Sequence, residues 1–269
     1  MHMKSTLTLL AAMILAVPSA ALAQQFEGVI KQRTISVEKY ALEDRGFDMS
    51  EAIFDVATER ILALREELEA DGAMTVEETE VYIKGNLIRT DMATEEGPAY
   101  ATMDLDQGIM RMVQPNERMY MEWTKADMER LKAMMPDMGG ASQEGEPRAT
   151  GQTRTINGMT CVAYDIETDE GTTRVWVSQD NAQLVKAFAG LMESVNAMGM
   201  EAGETDEAML VAEHGFPVLM LRLGYDMYEI EETLSVDQQS VSDDLFTAPA
   251  GYKKMTMADM ITGSKVELW

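Results

Sequence analysis

Two dipeptides constrain this chain more than any other feature: Gly85-Asn86 and Asn157-Gly158 each stand between runs in which apolar and polar residues alternate. A type I′ hairpin needs positive φ at both central residues, which Asn and Gly tolerate, and a two-residue loop pins the register of the flanking strands. TVEETEVYIK and LIRTDM therefore pair with Val81, Ile83 and Ile88 on one face. TRTI and MTCVAYDI pair Ile156 with Met159 and Arg154 with Cys161. A loop TDEG at 168–171 next aligns Asp165 with Arg174, Tyr164 with Val175, Ala163 with Trp176 and Val162 with Val177. Side chains alternate along a strand. One face thus collects Val162, Tyr164, Ile166, Val175 and Val177, and the other mixes Met159, Cys161, Ala163 and Trp176 with Arg154, Arg174 and Asp165.

Around these hairpins the pattern adds a first strand at 26–40 and an amphipathic helix over 48–70, with a capping-box start at Asp48 and Glu51 and Phe54, Ala57, Ile61, Leu64 and Leu68 at helical spacing. Strands follow through AYATMDLD, GIMRMVQ and ERMYMEW, then a short helix at 125–135 and a Gly, Pro and Glu-rich loop at 136–150 that reads as mobile. Helices are expected over 181–200 and near 204–213, before the strands FPVLMLRLGY and YEIEETLSVD. Strands joined by hairpins, with helices inserted late and no linker, favour an antiparallel sheet with helices on one side, an α+β architecture, in a single domain over 24–269.

The first residues, MHMKSTLTLLAAMILAVPSAALAQQ, carry a lysine, a short apolar run and the triplet Ala21-Leu22-Ala23, the pattern of a secretory signal peptide at 1–23 cleaved before Gln24. A periplasmic or secreted protein is expected, and no later run approaches the roughly 20 apolar residues of a spanning helix. With a formal charge of −25 the surface repels nucleic acid and anionic lipid headgroups. A single cysteine in an oxidising compartment forms no internal disulfide, so packing alone must hold the fold.

Catalytic apparatus is not visible. His214 is the one histidine beyond the leader and reads as a turn or surface residue; no nucleophile elbow, phosphate-binding glycine loop or dinucleotide fingerprint occurs. No enzyme, cofactor or metal site is expected. The unusual residue is methionine, 25 in the chain. In a hairpin around Pro115-Asn116 that pairs Val113 with Arg118, Met112 faces Met119, Met110 faces Met121, and Trp123 shares their face. Such a face, soft and able to repack, suits the wall of an adaptable apolar pocket; it equally suits an ordinary core face under a helix. Thioethers also suit Cu(I), to which LKAMMPDMGG and LMESVNAMGM could contribute. The candidate ligand-binding residues are Met110, Met112, Met119, Met121 and Trp123, with Phe188 and Met192 from the 181–200 helix. Cys161 has two readings: a thiol activated by the arginine across the strand, or a small packed side chain with no nearby base.

VYIKGNLIRTDM, TRTINGMTCVAYDI with its partner RVWVS, and DDLFTAPAGYKK together resemble the exported bacterial family catalogued as domain of unknown function 4412, which in turn resembles the lipoprotein carriers LolA and LolB. The resemblance covers most of 24–255. It implies a strongly curved antiparallel half-barrel with helices over its concave face. In the carriers the apolar space between sheet and helices holds acyl chains, so the expected partner is a hydrophobic small molecule, a lipid or a lipidated protein. No individual binding residue maps from that likeness. The other reading of the chain is a structural or interaction module of the envelope with a filled core.

Overall fold

A computed structural model of the chain describes residues 26–94, 97–127, 130, 145–168, 171–197 and 214–255; of 94, 168 and 191–197 the backbone alone is described. Among these residues it is a large, open, mostly antiparallel sheet of twelve strands with few helices. β1 (Glu27–Glu38), β2 (Met74–Lys84), β3 (Leu87–Thr94), β4 (Gly97–Asp104), β5 (Ile109–Gln114) and β6 (Met119–Thr124) form one antiparallel meander. A second contains β7 (Arg148–Ile156), β8 (Met159–Thr168), β9 (Gly171–Ser178), β10 (Phe216–Leu223) and β11 (Met227–Gln238). The two join where β11 pairs with β1, and β12 (Lys253–Met255) adds a short parallel strand to β6.

Turn chemistry sets the local registers as expected. Asn157 and Gly158 take φ of 48° and 81°, closing Ile156 onto Met159 and Arg154 onto Cys161. Gly85-Asn86 closes Lys84 onto Leu87 and Ile83 onto Ile88. Asp165 pairs with Arg174, and the ladder runs on to Thr168 and Gly171, one pair further than a four-residue TDEG loop allows. The 136–150 loop is shorter than expected: β7 begins at Arg148, and 136–144, like the 204–213 helix, lies outside the described residues.

The 48–70 segment is not one helix. It comprises a 3-10 turn at Glu51–Asp55, α2 (Thr58–Leu62) and α3 (Arg65–Ala70), preceded by α1 (Lys39–Glu43) at the end of β1. Val56 and Ala57 are extended, and Leu64 leaves the helical region. In place of the capping box, Ser50 Oγ accepts from the Ala52 amide and Asp48 accepts from the Ser50 amide. A straight helix of this length would run roughly 34 Å; the broken path lets Phe54, Ile61 and Leu68 all reach the core, each fully buried. α4 (Ala182–Ala197) connects β9 to β10 and buries Leu184.

Register assigns the faces, because residues paired across a ladder point the same way. Asp165, Arg174, Leu221, Ile230, Ile35 and Val76 form one row across β8, β9, β10, β11, β1 and β2. Leu223, Tyr228, Val37 and Met74 form the next. The segment between β1 and β2 covers this face: the Phe54 ring lies 6.4 Å from that of Tyr228 and 5.0 Å from the Arg174 guanidinium.

Candidate functional site

The methionine face rises from one hairpin. Gln114 pairs with Met119, so Pro115–Arg118 form the turn; Arg118 takes φ of 50° and its amide donates to the Pro115 carbonyl at 3.2 Å. Arg118 therefore belongs to the turn, not to the strand, and each cross-strand partner moves by two from the expected pairing. Met112 faces Met121 and Met110 faces Trp123. Parity survives, so Met110, Met112, Met119, Met121 and Trp123 do share a face. Met103 of β4 pairs with Met110, Met255 of β12 pairs with Met121, and Met92 lies on the same side of β3. All eight side chains are half-buried.

The opposite surface of these strands is held by charge. Arg111 bonds Glu122 at 2.7 Å, and Lys254 bonds the same carboxylate. Burial alone would raise the Glu122 pKa, but the hydrogen bonds from Lys254 and Arg111 together with their charges hold it below the usual carboxylate range. The Arg89 guanidinium sits 3.7 Å over the Tyr100 ring and donates to the Leu245 carbonyl, tying the 3-10 turn Asp243–Phe246 to this side. A cleft of about 560 Å³, lined among others by Glu80, Arg89, Asp91, Met92 and Pro115, opens where this side meets the methionine face.

The ladders β1 to β6 run without a register shift, so Ile35 and Val37 share a side with Tyr82, Arg89, Tyr100, Val113 and Tyr120. The methionine face is thus the surface opposite the one that α1, α2 and α3 cover. Phe188 of α4 packs edge-on against Phe216 of β10 at 5.6 Å, far across the sheet from β5. The structure therefore does not bring Phe188 to the methionines. The Met192 side chain lies outside the described residues, as do LKAMMPDMGG and the end of LMESVNAMGM.

Cys161 is fully buried; its Sγ donates to the Met159 carbonyl at 3.4 Å, and burial pushes the thiol pKa up to about 11. The Arg154 charge opposes that shift and is outweighed. Maleimide should therefore leave native Cys161 unmodified at pH 7 and label it at a free-thiol rate in urea; equal rates would contradict the buried placement. A thiol whose folded pKa exceeds its unfolded value contributes stability present below the ordinary value of 9.0 and lost as pH rises toward about 11. Cys161→Ala should accordingly lose less stability than wild type between those limits, measured by urea unfolding.

A buried polar layer lies on the covered face; sequence reasoning set Asp165 opposite Arg174, as observed, but did not foresee its burial or its second ion pair. Arg174 bonds Asp165 through Nε at 2.7 Å and Nη2 at 3.1 Å, with both side chains almost fully buried. Arg33 pairs with Glu232, which also accepts from Asn157 at 3.0 Å. The Asp165–Arg174 register was the available signal for the first pair; the second joins residues 199 apart and left none. His214 stacks on Tyr164 at 4.4 Å. Among the described residues no group of three or more His, Cys, Asp or Glu could hold a metal ion, and no helix is long and apolar enough to cross a membrane.

Compared with solved structures, the chain is similar to PNGF-II in two crystal forms, at 10% and 8% identity and TM-scores of 0.39 and 0.38. Both matches cover 88% of this chain, which spans only about a third of the PNGF-II chain, 32% and 33%. An uncharacterized conserved protein from Thermus thermophilus matches over 84% of this chain and 90% of its own at 4% identity and a TM-score of 0.41. No curated protein matches significantly. The family model described as "Domain of unknown function (DUF4412)" matches residues 64–252, from the break between α2 and α3 to the last turn before β12, and the chain belongs to that family.

Proposed function

We propose that this chain is a non-enzymatic binding protein of the periplasm, or a secreted one, that holds a lipid, an acyl chain or a lipidated partner on the methionine face. The observation that carries the reading is the half-exposure of Met92, Met103, Met110, Met112, Met119, Met121, Met255 and Trp123 on one continuous sheet surface. Contiguous exposed apolar patches are uncommon on soluble proteins and mark interaction sites. Unbranched thioethers accommodate apolar groups of varied shape, as an acyl chain requires. The leader-like first residues support the compartment.

The reading takes the open sheet as curved, in the manner of the lipoprotein carriers. Asn157, at the β7–β8 tip, donates to Glu232 and to the Thr233 carbonyl of β11 at 3.0 and 2.8 Å. On a flat sheet β8 and β11 would lie about 14 Å apart, so this reach supports a strong curl.

Two observations favour second readings. The space under α1, α2 and α3 is filled by Phe54, Ile61 and Leu68, which suits an interaction module. Met112, Met121 and Met255 stand side by side on adjacent strands, which suits Cu(I).

Native mass spectrometry of protein purified from its own host tests the proposal: co-purifying lipid is expected. Met112→Glu with Met121→Glu should keep the fold, because both side chains are half-exposed, and should weaken acyl-probe binding on the order of tenfold or more by setting charge against the chain. A consistently empty protein with unaltered probe binding in the double variant would sink the carrier reading. Cu(I) bound more tightly than micromolar in a competition titration would favour metal instead.

A further inference from the structure

The sulfur atoms of the methionine face are open to solutes in a way that the thiol of this chain is not. Cys161 is fully buried, and its Sγ donates to the Met159 carbonyl. Met112, Met121 and Met255 are half-exposed and stand side by side in one row across β5, β6 and β12, with Ala101 of β4 at its end. Met103 and Met110 make a second pair beside Trp123. Neighbouring strands lie about 4.7–4.9 Å apart, so the thioethers of a row are within reach of one another. In the other ladders no methionine pairs with a methionine: Met74 stands opposite Val37, Met159 opposite Ile156, Met220 opposite Val175 and Met227 opposite Glu38. Met74 and Met220 are buried as well.

An apolar wall needs no sulfur, since leucine and isoleucine supply the same burial with better-defined rotamers. A thioether adds chemistry. Its sulfur lone pair attacks hydrogen peroxide; an S–O bond forms as the O–O bond breaks, and the leaving hydroxide takes up the proton to become water. Sulfur is oxidised by two electrons and the peroxide is reduced by two. The product is a polar side chain where an apolar one stood, and sulfoxide reductases reverse the change at the expense of thiols. From Ala101 to Met255 the row holds no hydrogen-bond donor side chain. Sulfoxide oxygens there are solvated while the face is bare and lose their water when an apolar ligand covers them, at a cost in free energy. Oxidation thus opposes binding at the surface and leaves the core alone.

We propose that Met112, Met121 and Met255 form a reversible oxidation site: hydrogen peroxide converts the row to sulfoxides, and the face then releases its apolar ligand. This inference rests on the binding reading given above and adds the regulation of the same surface. Burial removes the one cysteine from that role, so the thioethers of this face carry the redox response of the chain.

The test is calorimetric titration of the full chain with monodecanoylglycerol, before and after exposure to hydrogen peroxide that is then removed, with oxidised positions read by peptide mass. Met112, Met121 and Met255 should each gain one oxygen ahead of the buried Met74 and Met220. Affinity should fall about tenfold or more while the urea midpoint moves little. The two methionine sulfoxide reductases, one for each epimer, should restore it with dithiothreitol as reductant. Met112→Leu combined with Met121→Leu and Met255→Leu conserves volume and apolar character; whatever its starting affinity, peroxide should then change it little. Binding that is equal before and after oxidation of the row, or an equal proportional loss in the leucine variant, would overturn the switch and leave the binding reading standing. A loss that accompanies unfolding, or that the reductases do not reverse, would overturn it too. No binding by the untreated chain would end both.

Discussion

Asp165→Ala is expected to lower the unfolding free energy by about 3–5 kcal/mol, the cost of breaking a buried ion pair from one side. The carboxylate takes two hydrogen bonds from Arg174, and both side chains are nearly excluded from solvent. Once it is gone, the guanidinium keeps, among the described residues, the exposed Asp55 at 3.5 Å and the Phe54 ring. An exposed carboxylate at that distance is screened and contributes little. The hydrogen bond with Asp165 raises the Arg174 pKa and is lost in the variant, but a guanidinium is so strong a base that the cation cannot shed its proton to escape burial. Urea unfolding with unchanged m-value and a lowered midpoint checks the prediction. Asp165→Leu combined with Arg174→Met should recover most of the loss, because two apolar side chains leave no stranded charge. If the double variant falls as far as Asp165→Ala, the cost lies in packing and not in the charge.

Phe54→Ala is expected to cost a similar amount, about 3–5 kcal/mol, by a different route. Phe54 is fully buried in the 3-10 turn, and its ring touches the Arg174 guanidinium and faces Tyr228. The turn is five residues long and no intact helix supports it. Its docking depends on a few side chains, and deleting the largest leaves a cavity against two polar groups. Leu68→Ala, in the adjoining helix, should fall in the range of about 2–5 kcal/mol for a buried leucine. Because Phe54 and Asp165 both contact Arg174, their losses should not add; a double-mutant cycle in urea should return a coupling of about 0.5–3 kcal/mol. Strict additivity would show that Phe54 holds the segment independently of the ion pair.

These two sites mark the boundary of what the amino-acid order discloses. The Asp165–Arg174 pairing is readable because Asn157-Gly158 and the short turn after it leave the strands little freedom to slide. The Met110–Trp123 face is readable for the same reason of parity, but its partners are not. Pro115–Arg118 has no Asn-Gly chemistry at its end, and with a positive φ at Arg118 each cross-strand partner moves by two residues. The break at Val56-Ala57 leaves the apolar spacing of a helix intact, so periodicity cannot reveal it. Which surface of the sheet the helical segment covers is decided by contacts between Phe54 and Tyr228, residues far apart in the chain. That decision moves the methionines from an expected interior to the opposite face.

The seam between the two meanders has a kinetic meaning. β1 is among the first strands made, yet the neighbour that completes it, β11, is among the last, and their contacts join residues such as Arg33 and Glu232, 199 positions apart. Closing so long a loop is entropically slow. Until then β1 shows a bare row of amides and carbonyls, able to pair with another chain. Lys31 and Arg33 lie on that strand, where charge discourages such pairing, and each has an acidic residue, Glu80 or Glu232, with which it pairs in the finished sheet. Assembly of this sheet therefore has one late, committing event, and refolding from urea should be slowed most by substitutions along β1 and β11.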